Sequence, residues 1–273
     1  MWGIVPAAGI GSRIQPLAFS KELLPVGSRF DGEAERPRAV SEYLVDRMLL
    51  AGATRICFVI SPGKSDIVSY YGGGIGNAAI CYAVQQQPAG LCDAIFHALP
   101  FIPPDEQILI GLPDTVWFPD TGFEALGDDD LSFLCFPVER PEFFDAVVFD
   151  DDDFVREIQV KKTGAESHWI WGAFKVRAST LAELRDLWEE RGRTDVYIGT
   201  LVNCWLARGG RARAVRAGES YVDVGTLHGY REAITLLTHA VIPSGVEGFV
   251  RAGGSMAAFP APALRPDPSR RSG

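Results

Sequence analysis

Residues 3–27, GIVPAAGIGSRIQPLAFSKELLPVG, decide the reading of this chain. A short apolar run, Gly3–Pro6, leads into a loop of small residues, Ala7-Ala8-Gly9-Ile10-Gly11-Ser12. Small side chains let main-chain N–H groups close around an anion, and glycine supplies the backbone angles such a loop needs. Arg13 follows at once, and Lys21 stands just before Glu22-Leu23-Leu24-Pro25-Val26. A guanidinium and an ammonium add positive charge where a polyphosphate would lie. The stretch reads as a nucleoside-triphosphate site at the carboxyl end of the first strand of an α/β sheet.

Other readings of the glycines fit less well. Gly9-x-Gly11 is half of a dinucleotide fingerprint, but Ile14 holds the third glycine position and Pro16 stands where a helix should begin. Gly63-Lys64-Ser65 resembles the end of a P-loop, yet the partner glycine position is Phe58. Gly74-Ile75-Gly76-Asn77-Ala78-Ala79 precedes a strand rather than following one, and reads as a plain connection.

At 273 residues the chain can bury a full core in one large domain. Hydrophobic residues make up 47% and charged residues 22%, an ordinary globular balance. The net charge of −9 argues against nucleic acid or an anionic membrane as a partner. No apolar run is long enough to span a bilayer, and the first residues form no basic or apolar leader, so a cytoplasmic location is expected. The five cysteines are widely spaced, form no CxxC pair and read as reduced core residues. The four histidines lack metal-ligand spacing.

Short apolar strands alternate with helices through the first half. Strands are expected at 3–6, 55–60, 79–84, 107–110 and 132–136, and helices at 40–51, 64–71 and 91–99. That order implies a parallel, doubly wound sheet. The second half predicts antiparallel strands at 146–149, 155–160 and 169–176, then helices at 179–190 and 195–207. Strands at 212–216 and 221–222 and a helix at 226–238 follow. We expect one α/β domain over 1–242, a Rossmann-like, mostly parallel sheet with a smaller antiparallel extension. Residues 1–138 would bind nucleotide and 139–242 the acceptor. Residues 243–273, rich in Gly, Pro, Ala, Ser and Arg, are expected to be a flexible tail.

Asp114 follows the apolar strand in Ile110-Gly111-Leu112-Pro113-Asp114. At the carboxyl end of a central strand it faces the ligand crevice, where it can hold Mg²⁺ with phosphate oxygens and water; a turn or cap aspartate is the alternative. Gln85-Gln86-Gln87-Pro88-Ala89-Gly90 lies between a strand and a helix. A glutamine amide there can pair with a nucleobase edge, and Gly90 lets the main chain approach it; a polar turn is the alternative.

GxGxR…P…KxLLPV resembles the sugar-1-phosphate nucleotidyltransferases, the group of thymidylyl- and uridylyltransferases that act on glucose 1-phosphate. Gly9, Gly11, Ser12, Arg13, Pro16, Lys21, Leu24 and Pro25 carry the match, which extends over roughly residues 1–240. Four residues separate Pro16 from Lys21, where about six is the usual spacing. The resemblance implies an α/β nucleotide-diphospho-sugar transferase fold. It implies Mg²⁺-dependent transfer of a nucleoside monophosphate from an NTP, dTTP or UTP by preference, to a sugar 1-phosphate such as glucose 1-phosphate.

Several roles follow from the resemblance alone. Arg13 and Lys21 would act on the phosphates, with Ala8, Gly9, Gly11, Ser12, Gln85, Pro88 and Gly90 binding the nucleotide. Asp223, in Tyr221-Val222-Asp223-Val224-Gly225-Thr226, looks like the family's second metal aspartate beside Asp114. Lys162 would hold the sugar phosphate. Lys161 stands where the family carries a glutamate. Gly172 would lie beside the sugar, and Trp171 or Trp169 could stack on it, although tryptophans in such a strand also serve as core. Self-association is common in the family. A nucleotide-sensing module of the same fold without catalysis, and a CTP-using enzyme, stay open as alternatives.

Overall fold

The computed structural model describes residues 1–240, so the stretch 243–273, expected as a tail, lies outside the described residues. The chain runs β1 (Trp2–Pro6), β2 (Pro25–Phe30), β3 (Glu35–Ala39), α1 (Val40–Leu50), β4 (Arg55–Ile60), α2 (Ser65–Tyr71), β5 (Gly74–Ile75), β6 (Ala78–Val84) and α3 (Leu91–Ala98). It continues through β7 (Gln107–Gly111), β8 (Thr115–Phe118), β9 (Leu131–Pro137), β10 (Asp145–Phe149), β11 (Val155–Val160) and β12 (Trp169–Arg177). Last come α4 (Ala178–Glu190), α5 (Ile198–Ala207), β13 (Arg213–Val215), β14 (Ser220–Asp223) and α6 (Leu227–Ala240).

The four central strands, β7-β1-β4-β6, are parallel, as the alternation of strands and helices requires. They read as continuous apolar runs because both faces are covered: in β4 only Arg55 is exposed. Ile95 of α3, Leu181 and Leu184 of α4, and Leu201 of α5 belong to the apolar cluster on one face. Leu44 and Met48 of α1 and Ile67 of α2 belong to the cluster on the other. The expected antiparallel extension is β12, β10 and β11, with β9 and β13 beyond.

β12 organises the acceptor half. Its residues Ala173–Arg177 pair with β7, while Ile170 pairs with Ala146 of β10. Along its whole length the strand also pairs with β9, so β7 and β10 share the other edge. They run in the same direction, with a gap between Gly111, opposite Ala173, and the start of β10. Gly172 is a bulge at this gap, where the pairing with β9 shifts between Trp171 and Ala173.

The β2–β3 hairpin, β5 and β8 were not expected; Gly74–Ile75, read as a plain connection, is the strand β5, because it turns back at Gly76 to pair antiparallel with β6. The β2–β3 hairpin shows no alternating apolar pattern, because only Val26 of β2 is buried. β8 hides in the stretch after Asp114 and pairs with β14, far along the chain.

Leu44 is fully buried, and its Cδ1 lies 2.5 Å from the position a Cβ on Gly111 would take. Leu44→Ala should cost about 2–5 kcal/mol in urea unfolding, since the void opens between α1 and the central sheet.

Candidate active site

The loop after β1 leaves its main-chain donors unused. Ala7 N–H still bonds Val59 O at 2.7 Å, but among the described residues no N–H from Ala8 through Arg13 finds an acceptor. Unpaired main-chain donors need water or an anion, and here consecutive ones share one small-residue loop. Gly11 has φ +70°, and a Cβ there would strike Lys21 Cδ at 2.6 Å. Its lack of a side chain therefore lets the loop turn and lets the Lys21 stem pass.

Two carboxylates reach the same place. β8 and β14 pair with Asp223 opposite Thr115, and Val224 N–H donates to Asp114 O at 2.8 Å. This sets Asp114 and Asp223 side by side. The point where a Cβ on Gly225 would sit is 2.8 Å from Asp223 Oδ1, 3.1 Å from Asp114 Oδ2 and 3.1 Å from Arg13 Nη2. Arg13 donates to Asp223 Oδ2 at 3.1 Å, and Lys21 Nζ pairs with Asp114 Oδ2. The structure thus brings Arg13, Lys21, Asp114 and Asp223 to one spot beside the unpaired loop. Burial by itself would raise the Asp114 carboxyl, but the Lys21 ammonium outweighs it and the net displacement is downward. Burial likewise opposes the charge on Lys21, and Asp114 and Glu22 overcome it, so the ammonium is displaced upward.

Lys64, from the stretch that imitates a P-loop, supports this site from beneath. Its ammonium donates to Ala7 O at 2.6 Å and to both Glu22 carboxylate oxygens at 2.7 Å. Asp66, two residues on, accepts from the Ser20 N–H and Oγ–H, each at 2.6 Å. Lys21 is therefore held between two residues pinned to the start of α2. Burial pushes the Glu22 carboxyl up and the Lys64 ammonium down, each against the pull of its partner. Lysine and glutamate in a sequence give no sign that they will meet, so this pair was not legible.

The other expected positions stand apart from this cluster. Gln85 is buried, and its amide N–H₂ donates to Asp93 Oδ2 at 2.6 Å and to Gly90 O at 3.4 Å. It braces the turn carrying exposed Pro88 onto α3 and leaves its oxygen as the free group. Gly90 has φ +94°, and a Cβ there would meet Val196 Cγ1 at 2.8 Å. Lys162 is exposed and reaches Glu166 at 3.6 Å; among the described residues no hydrogen bond or ion pair ties it to the four-residue cluster. The expectation that Trp171 stacks on a sugar is corrected: the ring is buried against Phe133 and Phe174, because its side of β12 faces the helix-covered core. Gly172 offers no open face on the Tyr221 side. Its missing Cβ is the room taken by the Tyr221 and Phe136 rings, at 2.5 and 2.6 Å.

Two further groups escaped the sequence reading. Burial pushes the Tyr221 phenol well above its usual range, helped by the carboxylates of Asp223, Asp114 and Asp145. Burial also pushes the Asp145 carboxyl up to about 6, against the opposing pull of Lys161 and of the Trp171 indole.

Comparison with known proteins agrees with this geometry. The family model for nucleotidyl transferases matches residues 2–240. The chain belongs to the nucleotidyl transferase family. Glucose-1-phosphate thymidylyltransferase of Neisseria meningitidis is 25% identical over 247 residues, covering 87% of this chain and 82% of that protein. UTP–glucose-1-phosphate uridylyltransferase AglF of Haloferax volcanii is 24% identical, covering 82% of this chain and 91% of that one. The fold is shared with the UTP-bound UGPase from Acinetobacter baumannii, at TM-score 0.70 and 17% identity over 86% of this chain and 92% of that one. The resemblance to the sugar-1-phosphate nucleotidyltransferases, and the enzyme class it carries, are thereby borne out.

Among the described residues of this nucleotidyltransferase no helix is long and apolar enough to cross a membrane. Nor do three His, Cys, Asp or Glu side chains gather into a metal cage. Asp114 and Asp223, whose carboxylate oxygens converge on one point in front of Gly225, are a donor set that fits Mg²⁺, which takes one or two carboxylates and completes its shell with phosphate oxygens and water.

Lys64→Met leaves Glu22 buried without its counter-charge and should cost about 3–5 kcal/mol, whereas Lys64→Met with Glu22→Met should recover most of that loss in urea unfolding. The Asp145 carboxyl gives a second readout. Its pKa of about 6 in the folded state exceeds that of an unfolded aspartate, so the native state holds the extra proton. Stability should fall as pH rises from about 4 to about 7. Asp145→Asn should remove this group's share of that slope and gain up to about 3 kcal/mol over wild type at pH 8 in denaturant titrations.

Proposed function

We propose that this nucleotidyltransferase transfers a nucleoside monophosphate from UTP or dTTP to a sugar 1-phosphate, with glucose 1-phosphate the first acceptor to try. The observation that carries the reading is the meeting of Arg13, Lys21, Asp114 and Asp223 beside a loop whose N–H groups are unspent. The names of the relatives support the substrate class.

The acceptor's phosphate oxygen attacks the α-phosphorus, the bond to the β-phosphate oxygen breaks, and pyrophosphate leaves. The attacking group is already an anion, so no protein nucleophile or base is needed. What the chain supplies is position and charge. The N–H groups from Ala8 to Arg13 hold the phosphate tail. Arg13 takes up the charge that grows on the departing pyrophosphate. Lys21 turns from Asp114 to the phosphate oxygens around the reacting phosphorus, where its charge stabilises the transition state. Asp114 and Asp223 would hold Mg²⁺, which, when bound, neutralises and aligns the phosphate oxygens. Gln85 Oε1 and the main chain at Gly90 are the groups that would meet the base.

Release of pyrophosphate, followed with each of the four NTPs against a panel of sugar 1-phosphates, tests this assignment. Lys21→Ala should lower kcat/KM by about 10²–10³-fold in enzyme that circular dichroism shows to be folded at the assay temperature, and Asp223→Asn should act in the same direction. Full activity in both variants would refute the mechanism. NTP binding without turnover for any acceptor would refute the transfer itself.

A further inference from the structure

Asp145 stands at the edge of this site and has no part in the reaction proposed above. It is the first residue of β10, which enters the edge of β12 just beyond the point where β7 leaves it. The chain departs from that edge at Gly111 toward Asp114. Asp145 therefore stands on one lip of the gap at Trp171–Gly172, and Leu112–Asp114 on the other. Its neighbours fix the same place independently. The Phe144 ring packs edge-on against Tyr221 at 5.8 Å, and Tyr221 lies two residues before Asp223. On the other side, Asp145 is opposite Val160, and Lys161 N–H donates to Phe144 O at 2.9 Å.

Asp145 is more than half buried, and among the described residues it joins no ion pair; the one hydrogen-bond donor that draws on its carboxylate is the adjacent Trp171 indole. That indole N–H is buried and makes no hydrogen bond of ordinary geometry, so the two carboxylate oxygens keep unused acceptor capacity. Buried polar groups normally find partners, and one left open beside a ligand crevice marks a place where the ligand supplies the partner. The charge around it narrows the ligand. Lys161 lies next to Asp145 with its ammonium 4.6 Å from the Tyr197 ring and 3.4 Å from the Tyr197 hydroxyl. An ammonium arriving at Asp145 would face that like charge, whereas a neutral hydroxyl would not.

We propose that Asp145 is a specificity-determining residue that accepts a hydrogen bond from a ring hydroxyl of the acceptor sugar, selecting a neutral hydroxyl over an amino group at that position. This rests on the transfer reaction proposed above and adds a residue outside the phosphate and metal machinery. The consequence is a separation of roles along the β12 edge. Leu112–Asp114 serves the reacting phosphates, while Asp145, across the gap, serves the sugar.

The test uses the enzyme with its best NTP and compares wild type with Asp145→Ala and Asp145→Asn. The acceptors are α-D-glucose 1-phosphate, its monodeoxy analogues and glucosamine 1-phosphate. Loss of a hydrogen bond to a charged group should raise the acceptor KM by about ten- to a hundredfold. The KM for the NTP should stay within about twofold, a split that a merely structural role would not produce. One deoxy analogue should bind wild type as weakly as glucose 1-phosphate binds the alanine variant, and the variant should not tell the two apart. An unchanged acceptor KM in Asp145→Ala would overturn the inference, as would a wild-type preference for the amino sugar that the variant loses. Calorimetric titration of the same acceptors reads the same differences in affinity without turnover. Absence of pyrophosphate release from wild type with every substrate pair would count against the proposed reaction; acceptor binding unaffected by Asp145→Ala would count against this residue.

Discussion

Four residues of β-ladder between β8 and β14 set the geometry on which the site depends. The pairing places Asp223 opposite Thr115, so that two acidic side chains from distant stretches of the chain share one space. Two carboxylates that close repel each other unless cations neutralise them. Arg13 and Lys21 do so, each bound to one carboxylate, and both extend from the loop that follows β1. The ladder and the loop therefore need each other. Without the cations the carboxylates could not stand together, and without the ladder the loop's charges would have nothing to hold them in place. In the proposed reaction a triphosphate would enter such a site by exchanging partners rather than by creating charge from nothing. Its oxygens would take over the cations, and Asp114 and Asp223 would be left to hold Mg²⁺.

The same logic runs one layer deeper. Removing the Lys64 and Glu22 charges from water costs several kcal/mol per ion before their attraction returns any of it. An apolar pair would serve packing equally well. What the ionic pair adds is direction. The ammonium holds the Ala7 carbonyl at the end of β1 and the residue next to Lys21 in one grip, while Asp66 holds Ser20. The loop whose N–H groups are unpaired is thus anchored at both ends. A rigid frame around unsatisfied donors is what preorganised charge stabilisation requires.

On the acceptor side, the sequence showed the strands but not their arrangement. The predicted strands at 55–60 and 155–160 coincide with β4 and β11, and most others differ by a residue or so at their ends, because short apolar runs bounded by turns are written locally. β8 and the β2–β3 hairpin were missed for a physical reason. Their residues carry little alternation, and the pairing that stabilises β8 comes from a strand near the end of the described chain. Trp171 shows the converse error. An aromatic residue in a strand is compatible with core or ligand, and only the side of β12 on which it falls, buried against Phe133 and Phe174, decides between them.

From the sequence alone came the class of the sheet, the small-residue loop after β1 and the expectation that Arg13, Lys21 and Asp114 serve one site, with Asp223 added by the family resemblance. These are legible because glycine spacing, fixed charge and the ends of apolar runs are local properties of a chain. The tertiary structure alone decided that Lys64 meets Glu22, that Gln85 is held by Asp93, that Tyr221 fills the space before Gly172, and that Asp145 opens β10 at the gap beyond β7. Each of these depends on which strand edge or helix end a side chain reaches after folding. That is set by burial and pairing across long stretches of sequence, to which no short motif refers.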